Sequence, residues 1–244
     1  MVAMFLGHGS PMNAIEENDF TKVWKMLGQK YHPKGILMIS AHWVTNGTKI
    51  QSAMHPKKID DMYGFPKELY DLKYPVTGDS YLTKRVIELI GAEIDDSWGI
   101  DHGAWSILAH MYPNADIPLV QMSLDKNLSP SDMFEIGKKL GQLREEGYMI
   151  IGSGNVVHSF KHIKDDPVSF ALDFDNEIEN MIKSHNYEGI INYHLIDNQK
   201  KAFQTSEHFD PLLYVIGASV SNKIDIYNKK VVYEAFSMTS YVFS

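Results

Sequence analysis

Three apolar runs in this chain each end close to a histidine. Val2-Ala3-Met4-Phe5-Leu6 passes into Gly7-His8-Gly9-Ser10-Pro11, and Ile36-Leu37-Met38-Ile39 passes into Ser40-Ala41-His42-Trp43. Tyr148-Met149-Ile150-Ile151 passes into Gly152-Ser153-Gly154-Asn155-Val156-Val157-His158. Runs this short and this uniformly apolar suit strands covered on both faces, whereas a half-exposed strand alternates. In an open α/β sheet, ligands bind outside the carboxyl ends of the strands. Histidines that follow separate strands can therefore converge on one point, and the rest of the chain reads as holding that point together.

The intervening segments supply the helices such a sheet needs. Asn18 or Asp19 is placed to cap a helix with Phe20, Val23, Trp24 and Leu27 on one face, stopped by His32-Pro33. Asp79 caps a second, with Leu82, Val86, Leu89 and Ile90 together and Gly91 at its end. Further helices are expected over residues 104–111, 130–146 and 170–184, and a last one opens at Pro211 and closes at Gly217. Strands are expected from Ile117 to Leu124, Lys49 to Met54 and Ala92 to Asp95. The tail reads as a hairpin at a sheet edge, Lys223 to Tyr227 against Val231 to Phe236 across Asn228-Lys229-Lys230. Strands alternating with helices point to an α/β protein with a largely parallel sheet. No repeat or linker divides residues 1–244, so a single domain is expected.

Composition narrows the partners. The chain is 44% apolar, enough for a substantial core, and its net charge of -8 comes without a Lys/Arg cluster. That balance argues against a nucleic-acid surface or a polybasic membrane contact and for a small-molecule partner. There is no cysteine, so disulfides and thiolate sites are absent and any metal is held by nitrogen and oxygen. No run approaches the ~20 apolar residues of a membrane span, and the start lacks a basic-then-apolar leader, so a cytoplasmic protein is expected. The oligomeric state stays open.

Of the eleven histidines, His32, His55, His185 and His194 lie in polar stretches and read as surface, and His110 reads as packed on its helix. His158 and His162 have the i, i+4 spacing of a helical metal pair, but lack the glutamate of the zinc-protease signature. His8, His42, His102, His158 and His208 differ because each stands at a junction between elements. Such a constellation of imidazoles suits iron, zinc, copper or nickel. Glu207 offers a carboxylate for a two-histidine, one-carboxylate triad, although it adjoins His208 and chain neighbours rarely reach one metal. Met62-Tyr63-Gly64-Phe65-Pro66 forms an aromatic loop that either walls a pocket for a flat substrate or packs on the core. Neither a Gly-x-Ser-x-Gly elbow nor a Walker loop is present, and Gly152-Ser153-Gly154 lacks the third glycine of a dinucleotide loop.

Taken in order, five stretches carry a resemblance: Gly7-His8-Gly9-Ser10-Pro11, Ser40-Ala41-His42-Trp43, Asp101-His102-Gly103-Ala104-Trp105, Gly154-Asn155-Val156-Val157-His158, and Glu207-His208 through Pro211-Leu212-Leu213. The ordered set resembles the class III extradiol ring-cleavage dioxygenases, and within them the DOPA-dioxygenase branch of the LigB-like superfamily. It runs from residue 1 to about Gly217. The resemblance implies a three-layer αβα fold with a metal at the carboxyl ends of the strands. It implies His8, His42 and His208 as ligands, His158 as either a zinc ligand or the catalytic base, and His102 in an assisting acid/base role. A histidine in place of the wider superfamily's glutamate at the third ligand position leaves the metal open.

The chemistry implied is one divalent metal per chain, Fe(II) for turnover or Zn(II) as bound, acting on a small aromatic diol and dioxygen. Three-ligand ferrous sites keep positions open for both reactants, whereas zinc has no redox change to offer. Two alternatives remain at the level of sequence. One is a non-catalytic Memo-like binding protein of the same fold, the other a zinc hydrolase with Glu207 as its base.

Overall fold

The apolar runs fold as strands, and their order brings the histidine tips to one edge. The computed structural model describes residues 1–163, 169–219 and 223–244. Among these, β1 (Ala3–Gly7), β2 (Ile36–Thr45), β3 (Lys49–Ile50), β4 (Glu93–Ile94), β5 (Leu119–Asp125) and β6 (Met149–Gly154) are followed by β7 (Ile224–Tyr227), β8 (Val231–Val232), β9 (Phe236–Ser237) and β10 (Ser240–Phe243). One eight-stranded sheet runs β4-β3-β5-β2-β6-β1-β10-β7. Its centre, β5-β2-β6-β1, is parallel throughout, with antiparallel pairs towards the edges. The four central strands therefore point their carboxyl ends the same way.

Alternate side chains enter opposite cores, as the pleat of a strand requires. Phe5, Leu37, Ile39 and Ile150 pack with Phe174, Leu213 and Tyr214 on one face. Met4, Leu6, Met38 and Ile151 pack with Trp24, Trp105 and Leu108 on the other. Burial on both faces explains why these strands are continuously apolar, and it gives the three-layer α/β arrangement. The helix Asp19–Lys30 starts at a capping box, where Asn18 Oδ1 accepts from the amides of Phe20 and Thr21 and Thr21 Oγ1 accepts from Asn18 N–H. Asp79 caps Ser80–Ile90, and Gly91 closes it in the left-handed region at φ 73°. No helix among the described residues is long and apolar enough to cross a membrane.

Several elements depart from the sequence reading. The second strand does not stop at Ser40. Ile39 faces Met122 but Val44 faces Leu124, so the segment between them bulges out of the ladder and carries His42 with it. The strand expected from Lys49 to Met54 ends at Ile50, because the amides of Ser52 and Ala53 donate to Asp96 Oδ1 instead of to a neighbouring strand. The helix expected over residues 130–146 breaks at Gly141 into Pro130–Leu140 and Gln142–Glu145.

The tail hairpin forms differently as well. β7 is an edge strand, but it pairs with β10, and β8 pairs with β9 in a separate two-stranded ribbon. β10 is wholly buried beside β1, so it needs a partner on its outer side, and β7 supplies one. His158 and His162 do not share a helix. His158 N–H donates to Ala202 O at 2.8 Å, and His162 ends the single 3-10 turn Phe160–His162.

Candidate active site

Each site histidine is placed by a different local device. His8 follows β1 directly, and its amide donates to Gly154 O at 3.2 Å, continuing the β1–β6 ladder by one bond. His42 leaves the sheet on the β2 bulge, and bulges commonly re-aim a side chain in this way. His102 is the first residue of the helix His102–Met111. The residue before it, Asp101, makes no side-chain cap there. Its carboxylate is buried and accepts from Ser40 Oγ at 2.7 Å, Trp98 Nε1 at 3.1 Å and the Gln121 side-chain amide. Burial, chiefly, pushes the Asp101 carboxyl above its usual range.

His208 lies in the turn ahead of Asp210–Ala218, and its carbonyl accepts from Asn155 N–H at 2.9 Å. That bond draws the backbone against Gly154, where a Cβ would stand 2.0 Å from the His208 carbonyl oxygen. Only glycine fits there. Gly103 is constrained likewise, since a Cβ would approach Ser40 Oγ to 2.5 Å and His42 Cδ2 to 3.0 Å. The glycines of two of the sequence motifs are thus there for close approach.

The rings converge. His8, His42 and His208 each bring one ring nitrogen within 4.8 Å of the others, and His42, Asp61 and His102 form a second such group. His158 belongs to neither. Its ring lies flat on that of His208, with centroids 3.5 Å apart and planes 7° from parallel.

The hydrogen bonds determine which nitrogens are free. Ser153 Oγ donates its single proton to Gly103 O at 2.6 Å, so at 2.9 Å it accepts from His8 Nδ1–H. His8 therefore presents a bare lone pair at Nε2. Across from it, 3.1 Å away, is His42 Nε2, while His42 Nδ1 lies 3.5 Å from the Asp61 carboxylate. With its proton on Nε2, His42 donates to His8 Nε2; with the proton on Nδ1, beside the Asp61 carboxylate, both Nε2 atoms are left as acceptors that can share a cation. His208 Nδ1 is buried with no hydrogen-bond partner, the nearest carboxylate oxygen being Glu207 Oε1 at 3.8 Å.

Burial first, then the neighbouring imidazoles, keep the cluster neutral. His8 and His208 are pushed well below the ordinary value of 6.5, and His42 falls to about 3. Burial takes His158 to about 4. Three converging ring nitrogens, an unpartnered buried Nδ1 on His208 and rings held neutral suit a divalent cation. The residues at this point fit a metal.

Asp61 went unrecognised in the sequence. Its Oδ1 accepts from the backbone N–H of His102 at 2.9 Å and its Oδ2 from His102 Nδ1–H at 2.8 Å, so it caps the helix from outside and orients the ring. Burial pushes its carboxyl up, but the His102 hydrogen bonds and the nearby His42 outweigh that and hold it below the usual carboxylate range. It occupies an unpatterned loop, and nothing local marks it. Glu207, by contrast, accepts from Thr205 Oγ1 at 2.8 Å and is absent from the lining of the cleft that the histidines floor.

That cleft has a volume of ≈ 420 Å³, and all five junction histidines line it together with Met62, Phe65, Phe160, Ile163, Val232, Tyr233 and Phe236. Of the two readings of the aromatic loop both hold in part, since Met62 and Phe65 line the cleft and also pack against the core. Tyr63, by contrast, is 93% exposed and faces away.

Imidazoles converging at the carboxyl ends of parallel strands, beneath an aromatic-sized cleft, define a three-layer α/β protein with a histidine cluster that could hold a metal ion. Comparison with known proteins makes this specific. The family model described as the catalytic LigB subunit of aromatic ring-opening dioxygenase matches residues 3–244. A protein of Escherichia coli K12 named 4,5-DOPA dioxygenase extradiol is 40% identical over 233 residues, 89% of this chain and 85% of that one. Its namesake from Beta vulgaris is 34% identical over 232 residues, 89% of this chain and 87% of that one. The crystal structure of an uncharacterized protein from Escherichia coli K12 superposes with a TM-score of 0.87 at 35% identity, covering 100% of both chains. The chain belongs to the LigB family of aromatic ring-opening dioxygenases and is an enzyme of the extradiol class.

Proposed function

We propose that the protein opens a catechol ring beside its two hydroxyls, with one divalent metal held by His8, His42 and His208 and with His102 and His158 as proton carriers. The observation that carries this is the floor of the cleft, where three neutral, converging imidazoles are flanked by two more that lie outside the converging set. Bound there, ferrous iron supplies a Lewis acid for the diol and the redox chemistry that dioxygen needs, whereas zinc supplies only the first.

The chain's own part is positioning and proton transfer. The apolar walls, Phe65 and Phe236 among them, hold a flat ring over the histidines and limit water. Asp61 fixes the His102 tautomer with its proton on Nδ1, so Nε2 is left to accept a hydroxyl proton from the bound diol. His158, neutral at physiological pH, stands over His208 as the second carrier and can return a proton when the ring opens. The relatives named for 4,5-DOPA support a catecholic substrate.

The test is to strip the protein of metal, reload it anaerobically with ferrous iron, add a catechol and air, and follow oxygen uptake against a zinc-loaded control. Uptake with iron alone, one dioxygen per catechol, with both labelled oxygen atoms in a yellow ring-opened product, is the expected result. Stoichiometric iron without uptake across a panel of catechols would refute the assignment.

A further inference from the structure

The two-stranded ribbon of β8 and β9 stands apart from the main sheet, yet it supplies Val232, Tyr233 and Phe236 to the wall of the cleft. Its base is fixed. Ser237 Oγ and Thr239 Oγ1 donate to the buried Asp175 carboxylate at 2.6 and 2.7 Å, and Lys229 pairs with Glu179 at 2.7 Å. Ser159 N–H donates to Ala235 O at 3.1 Å and Ser237 N–H to Val157 O at 3.0 Å, which ties the ribbon to the chain on both sides of His158.

The tip of the ribbon is strained. Val232 faces Phe236, so Tyr233, Glu234 and Ala235 make the turn. Tyr233 and Glu234 both lie in the left-handed region, at φ 50° and 64°. Hairpin turns of this kind favour Asn, Asp or Gly, because a Cβ is crowded there. Tyrosine is more strained at such a position than asparagine or glycine. Residues held in these conformations cluster where ligands bind, and of the two it is Tyr233 that lines the cleft.

Its placement suits contact with a substrate. Phe236 stands edge-on to the His158 ring with centroids 4.9 Å apart, and Tyr233 stands edge-on to Phe236 at 6.3 Å. These rings form a path from the histidine floor to the rim. A cavity of about 150 Å³ suffices for benzene, so the cleft of ≈ 420 Å³ has room for a substituent beyond the catechol ring. Tyr233 is 66% exposed, which leaves most of the side chain open to an incoming group. An apolar ring with a polar tip suits such a border between apolar wall and water.

Resting on the ring-cleavage reading above, we propose that Tyr233 is a substrate-binding residue that selects catechols whose side arm ends in an oxygen acceptor. Its O–H donates to that oxygen, and its ring covers the arm against Phe236. The anchored base of the ribbon holds the side chain at the rim beforehand, so little freedom is lost when the arm arrives.

Two measurements on the iron-loaded full chain test this, with 3-(3,4-dihydroxyphenyl)propionate as the probe that bears an acceptor and 4-propylcatechol as its counterpart without one. In steady-state oxygen uptake, Tyr233→Phe removes only the hydroxyl and should raise KM for the propionate roughly tenfold relative to KM for 4-propylcatechol, the lower end of what a hydrogen bond to a charged group contributes. The kcat for the propionate should change by less than ~twofold, as befits lost ground-state binding. In anaerobic calorimetric titration, which needs no turnover, the ratio of the two dissociation constants should shift by a similar factor. Tyr233→Asn suits the left-handed turn but removes the ring, so it should weaken binding of both probes while the melting temperature stays at or above the wild-type value.

An unchanged ratio for Tyr233→Phe in the titration would show that the phenol meets no arm, and a lower melting temperature for Tyr233→Asn would show that the tyrosine serves the fold. Either result overturns the assignment and leaves ring cleavage standing. Failure of every catechol to consume dioxygen at full iron, with the calorimetric ratio shifted as expected, would overturn ring cleavage and leave the binding role of Tyr233.

Discussion

Replacing Asp61 with asparagine exchanges one oxygen for an NH₂ and asks whether the loop carboxylate sets the chemistry of His102. In the native protein two donors of one residue converge on this carboxylate, the backbone N–H at 2.9 Å and the Nδ1–H at 2.8 Å. Asparagine has one acceptor oxygen and an NH₂ that only donates. If its oxygen stays on the backbone amide, the NH₂ meets Nδ1, and the ring shifts its proton to Nε2, the nitrogen needed as base. If the oxygen moves to Nδ1–H, a buried backbone donor is left facing another donor, a cost of about 1–3 kcal/mol. The first outcome removes general-base catalysis, worth roughly 10²- to 10⁴-fold in kcat, or about 2.7–5.5 kcal/mol of barrier. Metal binding should suffer less, by roughly 10- to 100-fold in affinity, because Asp61 only supports the proposed ligand His42 from 3.5 Å away. The assay is kcat by oxygen uptake at saturating catechol, with bound iron measured on the same sample. A kcat within threefold of wild type at full iron would refute the assignment of His102 as a base oriented by Asp61.

Other substitutions separate holding metal from moving protons. His208→Ala should lose stoichiometric iron, whereas His158→Ala should keep it and lose roughly 10²- to 10⁴-fold in kcat. The opposite pattern of iron contents would exchange their roles. The depressed histidines also set a pH dependence. His8, His42, His158 and His208 have folded values below the unfolded 6.5, so below that pH the unfolded chain binds more protons. Metal-free stability should fall on acidification from 6.5 towards the folded values, by up to about 1.4 kcal/mol per histidine per pH unit, as read by denaturant melts. Since the folded ligands stay neutral, zinc affinity should change by less than about threefold from roughly pH 7.5 to 5.5, where ordinary histidines would lose much more. Gly154→Ala drives a methyl against the His208 carbonyl, 2.0 Å from an ideal Cβ. A loss of about 3 kcal/mol, seen as a melting point lower by roughly 6–12 °C, is expected with weakened metal binding.

Much of the frame was legible because its signals are local. A strand buried on both faces is apolar along most of its length, so β1, the first half of β2 and the first half of β6 announce themselves by composition, whereas β5 buries Gln121, Ser123 and Asp125 among its apolar residues. Helix ends are written in caps, and the readings at Asn18, Asp79 and Gly91 rest on bonds spanning three or four residues. Histidines at strand tips and helix starts are visible once the elements are placed. The tail was misread because a hairpin is the shortest connection on offer, whereas the pairing that forms links residues such as Tyr227 and Ser240 around an intervening ribbon. Burial of β10 against β1 outweighs the local preference, and no window of sequence contains that term.

By itself, then, the sequence determined the class of fold and the five junction histidines, and left any metal to nitrogen and oxygen donors, since each follows from residue type and near-neighbour spacing. Tertiary structure alone decided which three imidazoles converge, that Asp61 orients His102, that His158 stacks on His208, and that the β8–β9 ribbon brings Tyr233 to the cleft. The division has a physical cause. Backbone hydrogen bonds and periodic burial act over a few residues, but a site is an arrangement in space. Asp61 and His102 lie 41 positions apart and His8 and Ser153 145 apart, and they meet only because the packed sheet and its covering loops leave them no other place.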